Sequence, residues 1–149
     1  MPSTWDEFLY AEIKQITDQS LPTFRNESQL ILAEQTVIGN VYSPSVFQKI
    51  IDHFRNILSA TCNDIVSAIG GAKDDFSAPA SELVPELPKK ISEAFDSCVK
   101  SANSSLAVCA PNYPTFSEEQ RTIKADEFLE ALQEATESLL RYKNRRIGF

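Results

Sequence analysis

The chain has 149 residues, which is enough for one domain with a substantial core, and its composition of 42% hydrophobic and 23% charged residues is globular. A net charge of −7 argues against a surface dedicated to nucleic acid. The three cysteines are an odd number at no metal-like spacing, so neither a disulfide framework nor a zinc site is indicated, and a reducing compartment is favoured. No apolar run approaches the ~20 residues of a membrane helix, so we expect no membrane contact.

The first part of the chain is predicted to form two helices separated by a proline. Met1–Ser20 has helical apolar spacing and Thr4 as its cap, and Pro22 is expected to end it, because the residue before a proline avoids the helical region. Asn26–Ile38 is predicted as the second helix, with Gly39 as a left-handed stop. Its apolar runs would also suit strands.

The longest patterned segment, Ser43–Ile69, is predicted to be the central helix of an all-α fold. Ser43 can cap it, Pro44 suits its first position, and Gly70 and Gly71 are expected to end it. Its apolar positions cover a sector of roughly 200°, about twice the stripe of a helix that docks on one side only. Other elements must therefore cover this helix from two directions.

The remainder of the chain is predicted to hold two further helices. A loop with a short helical turn around residues 82–84 follows the central helix, and Pro88–Cys109 returns to helical spacing. Ser117, with Gln120 three residues later, is predicted to open the last helix through a capping box. A single all-α domain, residues 1–149, with shorter helices around a long one is the predicted architecture.

No constellation of residues indicates catalysis, a cofactor or a metal ion. His53 is the only histidine, which excludes a two-histidine metal site. No acid or nucleophile is spaced to work with it as a general base, so packing at the edge of the central helix is the favoured interpretation. The cysteines lie on apolar stripes, where free cysteine behaves as a small hydrophobe. The basic cluster at residues 141–146 complements the dipole of a helix C-terminus. We therefore predict that the protein is not an enzyme.

Two segments resemble the histone fold. Arg121–Leu132 is similar to its second loop and third helix, and Tyr42–Val46 with the long apolar stripe that follows looks like its long middle helix. Among histone-fold proteins, the two segments most resemble those of transcription and chromatin complexes: the TFIID and SAGA histone-fold subunits, centromere protein S, the B subunit of NF-Y and the DNA polymerase epsilon subunits. The resemblance covers residues 22–69 and 121–142, after an extra N-terminal helix over residues 1–20. Residues 70–120, with one helix, are an insertion.

The resemblance implies an acidic, non-enzymatic nuclear subunit in a transcription, chromatin or replication complex. Histone folds pair head-to-tail with a second histone-fold protein, so a heterodimer is expected, with DNA contact weak or indirect. The shared core would contain apolar residues of the central helix: Phe47, Ile50, Phe54, Ile57 and Leu58. The loops offer only three cations for nucleic acid, Arg25, Arg121 and Lys124. Glu127 stands where the family's clamp aspartate is usual, and Gln120 takes the place of the clamp arginine.

A second hypothesis is a self-contained five-helix bundle, in which Met1–Ser20 and Pro88–Cys109 cover the central helix from within the chain. The protein would then be an adaptor, an inhibitor or an accessory subunit that acts by protein–protein binding, with a cytoplasmic location as the alternative to the nucleus. The two hypotheses differ in whether the helix of the insertion is essential to the fold.

Overall fold

The computed structural model describes the backbone of residues 5–75 and 87–147, and the side chains of residues 9–71 and 88–138. All regular structure in these ranges is helical, so the predicted all-α class is confirmed. The elements are α1 (Trp5–Ile38), α2 (Pro44–Asp75), α3 (Leu87–Cys109), a 3-10 turn (Ala110–Asn112), α4 (Glu118–Arg121) and α5 (Asp126–Ile147). The predicted helical turn at residues 82–84 lies outside the described residues.

The central helix α2 begins at Pro44, as predicted, but it does not end at Gly70. It continues through both glycines to Asp75. Gly39, in contrast, has the predicted left-handed conformation, with a φ of 82°, and α1 ends just before it. A glycine inside a helix costs only about 1 kcal/mol relative to alanine, so it weakens a helix without ending it. Ile69, which is buried just before the glycines, keeps this part of α2 against the core.

The wide apolar sector of α2 is covered by three other helices of the same chain. α1, α3 and α5 all pack on it, with an edge-to-face aromatic pair between α1 and α2 and a second such pair between α3 and α5. The rings of Phe24 in α1 and Phe54 in α2 are 5.2 Å apart, and those of Phe95 in α3 and Phe128 in α5 are 5.6 Å apart. Coverage from more than one direction, which the sequence predicted, is therefore supplied from within the chain.

α1 is one helix, and the prediction that Pro22 ends it was wrong. Pro22 lies inside α1 with its ring exposed, because both halves of the helix are held by packing. Ile13 and Phe24, on either side of the proline, are fully buried. On the side facing α3, the Ser101 hydroxyl donates to the Leu21 carbonyl over 3.2 Å. Burial of an apolar face can outweigh the ~3 kcal/mol that a proline costs in a helix interior.

α3 occupies the predicted range and contributes fully to the core. Its inward side chains are buried against α1, α2 and α5: Ile91, Phe95, Cys98, Val99, Ala102 and Leu106. Two contacts give the relative direction of α3 and α1. The Cys98 thiol lies 3.4 Å from the Thr17 carbonyl, and Ser101, later in α3, contacts the carbonyl of Leu21, later in α1. α1 and α3 therefore run parallel. α1 runs antiparallel to α2, because Ser20 contacts Thr61 whereas Phe24, later in α1, contacts the earlier Phe54, so α3 is antiparallel to α2 as well.

The last long helix starts at Asp126, not at Ser117. The predicted capping box of Ser117 and Gln120 is present, but it opens only the single turn of α4. The chain then becomes extended at Thr122, where the Asn103 side chain of α3 binds the next residue. Its amide accepts from Ile123 N over 2.8 Å and donates to Ile123 O over 2.9 Å, which holds the segment against α3.

We expect Asn103→Ala to lower the free energy of unfolding by about 1–2 kcal/mol, because both partly buried backbone groups of Ile123 lose their partner. Asn103→Asp should also destabilise, since a carboxylate accepts from Ile123 N but repels the carbonyl. Urea titration measures both effects, with the exposed neighbour Ser104→Ala as the control. Equal stabilities for Asn103→Ala and Ser104→Ala would contradict the clamp.

The buried thiols should make the fold sensitive to alkaline pH. Burial, with a smaller contribution from the Asp18 carboxylate, raises the pKa of the Cys98 thiol from its ordinary 9.0 to about 12. Because the pKa is higher in the folded state, the stabilisation is complete below pH 9 and is lost as the pH rises towards 12. Cys98 should account for a loss of ~1.4 kcal/mol by pH 10.

Urea titrations at pH 8 and pH 10 measure this loss, with Cys98→Ala as the control. The variant should be less stable at pH 8 but should lose less stability than the wild type on the shift to pH 10. An identical loss in both proteins would show that Cys98 does not titrate in this way.

Candidate interaction surface

The residues predicted for a partner interface lie mostly inside the chain itself. Phe47, Ile50, Phe54 and Leu58 are fully buried, whereas Ile57 is half-buried. A second chain could reach the first four only if another helix moved away from α2. Whether they ever meet a partner stays a prediction.

The three cations predicted for nucleic acid do not line a common surface. Arg25 is exposed beside the groove between α1 and α3, and Arg121 lines a separate hollow with Glu118 and Asn103. Lys124 is exposed on the extended segment before α5. Nothing in this arrangement concentrates positive charge, so weak nucleic-acid contact stays a prediction.

His53 lies at the edge of α2, half-buried, as the sequence predicted. Its Nε2 is 3.2 Å from Glu27 Oε2 of α1, on the rim of a surface groove of about 590 Å³ between the two helices. Both side chains remain more than a third exposed, so this contact is worth at most ~1 kcal/mol. Among the described residues, no three histidine, cysteine or acidic side chains are placed to hold a metal ion.

Glu127, which the histone-fold resemblance puts at the position of a clamp acid, meets a cation of the central helix. Its Oε2 is 3.4 Å from Arg55 Nε of α2, whereas the resemblance puts the clamp arginine's position at Gln120, which is uncharged. The two side chains are about 40% exposed, and Arg55 Nε makes no hydrogen bond, so the contact is a loose ion pair. It ties the first turn of α5 to the middle of α2.

The most unusual surface is built from the two longest runs of the sequence without charge. Residues 35–48 and 101–117 contain no Asp, Glu, Lys or Arg. At the chain average of 23% charged residues, roughly seven of these positions would carry a charge. The first run ends α1 and begins α2, and the second ends α3 and continues to the start of α4. We call the surface that the two runs form the uncharged end.

Aromatic packing joins the two runs. The ring of Phe47 stacks on Tyr113 at 4.7 Å and meets Phe116 edge-on at 4.9 Å, and the Tyr113 hydroxyl donates to the Val41 carbonyl. Burial, with smaller contributions from the Cys109 thiol and Tyr42, raises the pKa of the Tyr113 hydroxyl, so this donor keeps its proton. The uncharged end is therefore a packed part of the fold.

Large apolar side chains are exposed on the uncharged end. The exposed fractions are 90% for Val37, 71% for Ile38, 71% for Tyr42 and 79% for Val108. Val108 also lines the groove of about 1010 Å³ between α1 and α3, which leads from Leu21 and Pro22 towards this end. Four of the five large hydrophobic side chains that are exposed among the described residues thus belong to the two uncharged runs.

The helical spacing that predicted the core could not have identified this surface, because Val37, Ile38 and Val108 belong to helices that bury most of their large apolar residues. A count of charged residues along the chain would have marked both runs. It would not have shown that they meet, because the contacts of Phe47 and Tyr113 bridge segments far apart in sequence.

None of the described helices is both long enough and apolar enough to span a membrane. No family model, no curated protein and no solved structure matches this chain.

Proposed function

We propose that the protein is a self-contained helical bundle that acts by binding another protein through its uncharged end, without catalysing a reaction. The observation that carries this proposal is the exposure of Val37, Ile38, Tyr42 and Val108 on a surface formed by two runs without charge. Exposed apolar patches of this kind mark interaction sites on soluble proteins.

The composition of this surface is that of an interface core. Charged residues are depleted at the centre of protein–protein interfaces, and aromatic side chains are enriched there. Tyr42 offers a large apolar ring with a polar tip, and the two runs also contain exposed neutral polar residues, Asn40 in the first and Asn112 in the second. Such a surface suits a partner that presents apolar and neutral polar groups.

The burial pattern supports a bundle that needs no second chain to fold. α3 fills the face of the core that would otherwise be open, and Phe95 and Leu106 are both at most 1% exposed. In the histone-fold hypothesis α3 belongs to an insertion and the core is completed by a partner. Here the chain completes it with its own helices.

Histone-fold pairing in the nucleus is the second candidate, and one observation favours it. The chain is extended at Thr122 and helical again from Asp126, which is the loop-then-helix arrangement that the resemblance implies for this segment. Pairing of that kind would require α1 to leave Phe54 and the segment that carries Tyr113 and Phe116 to leave Phe47. The cost of exposing those side chains makes this the less favoured candidate.

The two candidates are separated by the behaviour of the full chain expressed alone. The bundle should be soluble and should unfold in one cooperative transition, monitored by circular dichroism at dilute concentration. A chain that depends on a histone-fold partner should instead be aggregated or molten, and should become cooperative only on co-expression with that partner.

Binding through the uncharged end is tested with matched charge variants in affinity capture from cells. Ile38→Glu introduces a charge on this end, whereas Leu30→Glu introduces one at a 54% exposed site in the groove between α1 and α2. Proteins captured by the wild type should be lost with Ile38→Glu and retained with Leu30→Glu. Loss with neither variant would place the binding surface elsewhere.

A further inference from the structure

The uncharged end also carries information about which partner fits it. The chain as a whole has 21 acidic and 14 basic residues and a net charge of −7. Two copies in solution therefore repel each other over most approaches. The two runs of the uncharged end carry no charge, so two copies can meet there without placing acidic side chains of these runs against each other.

We propose that the partner of the uncharged end is a second copy of this chain, in a weak end-to-end dimer with twofold symmetry; this inference rests on the proposed function. A twofold interface places the same patch on both sides and must be self-complementary. A patch that is apolar and neutral meets that condition, whereas a patch of one charge does not. Val37, Ile38 and Tyr42 would pack across the axis, with Val108 at the side.

The charges outside this end argue against a partner recruited by opposite charge. A strongly basic partner would be attracted to acidic residues elsewhere on the chain and would gain nothing at residues 35–48 or 101–117. A second copy presents the same neutral surface, because it has the same sequence. The small number of exposed apolar side chains limits the contact, so the dimer should be weak and dependent on concentration.

The balance between apolar contact and charge repulsion gives the dimer an unusual response to salt. Added salt shortens the Debye length from about 30 Å at 0.01 M to about 8 Å at 0.15 M, which screens the repulsion between the two acidic chains. Because the two runs have no charged residues, their contact includes no ion pair that salt could weaken. Dimerisation should therefore strengthen with salt, opposite to an interface built on salt bridges.

Sedimentation equilibrium of the full chain from micromolar to millimolar concentration tests the proposal. The average mass should rise from 16.6 kDa towards twice that value, and the rise should occur at lower protein concentration in 0.15 M than in 0.01 M NaCl. A mass that stays at that of the monomer throughout overturns the proposal. A dimer that salt weakens overturns it as well.

Three variants locate the contact. Ile38→Glu and Val108→Glu should each weaken the dimer at least tenfold, and Leu30→Glu, also on an exposed apolar site, should leave it unchanged. Cooperative unfolding of every variant is checked, and Tyr42→Ser, which adds no charge, should also weaken the dimer. A dimer that survives both glutamate variants, or is lost with Leu30→Glu, overturns the proposed contact.

The same variants separate this inference from the proposed function. If the chain stays monomeric but affinity capture of other proteins is lost with Ile38→Glu, the uncharged end binds a different protein and only the second copy is excluded. If neither self-association nor capture depends on Ile38, both proposals fail.

Discussion

Replacing Phe95 with alanine is expected to lower the free energy of unfolding by about 3–5 kcal/mol, the usual cost of truncating a buried phenylalanine. Phe95 is fully buried in α3, and its ring meets that of Phe128 in α5 at 5.6 Å. The substitution leaves a cavity between three helices that are pinned by their other contacts and cannot close around it. Urea titration of both proteins measures the difference.

This variant decides whether α3 is essential to the fold or an attachment to it. Val108→Ala is the matched control, because Val108 lies on the same helix but is 79% exposed, and its truncation should cost at most ~0.5 kcal/mol. A loss below ~1 kcal/mol for Phe95→Ala would mean that α3 does not share the core, and would favour the histone-fold hypothesis over the self-contained bundle.

Replacing Pro22 with alanine is expected to raise the free energy of unfolding by about 2 kcal/mol. Proline inside a helix costs about 3 kcal/mol relative to alanine, because it lacks the N–H that would donate to the carbonyl of Asp18 and its ring crowds that carbonyl. Part of the gain is offset, since proline also restricts the unfolded chain by ~1 kcal/mol. Pro22 is exposed, so alanine removes no buried packing.

Pro44→Ala is the control for this prediction. Pro44 is at the first position of α2, where the missing N–H has no helical acceptor and the fixed φ is favourable, so the substitution should not stabilise. Thermal unfolding of both variants, followed by circular dichroism, gives the comparison. A neutral or destabilising Pro22→Ala would indicate that α1 is interrupted at Pro22, as its local sequence alone suggests.

Predictions from local signals agree with the structure where the signal and the packing act in the same direction. Gly39 ends α1 with a left-handed φ, Pro44 begins α2, and the helix predicted from Pro88 to Cys109 is observed from Leu87 to Cys109. Each of these boundaries is set by the backbone conformation or the capping of a few neighbouring residues.

The local signals fail where burial at a distance outweighs them. Pro22 does not end α1, because packing against α2 and α3 holds the helix on both sides of it. Gly70 and Gly71 do not end α2 for a similar reason, since Ile65 and Ile69 are buried in the core just before them. Helix stops of this strength, ~1–3 kcal/mol, are smaller than the burial of two or three large side chains.

The start of α5 shows the same competition between local and distant contacts. The capping box of Ser117 and Gln120 forms as the sequence predicted, yet the helix it opens ends after one turn. Asn103, from a different helix, binds both backbone groups of Ile123 and holds the segment extended. Those two hydrogen bonds cannot be foreseen from residues 117–126 alone.

The sequence by itself determined the all-α class and the wide apolar face of α2, because helical periodicity follows from the order of apolar and polar residues. It also determined that two long runs carry no charge. Only the tertiary structure decided that α1, α3 and α5 of the same chain cover that face, and that the two runs meet at Phe47 and Tyr113. Both depend on contacts between residues distant in the chain, whose free energies exceed those of the local signals.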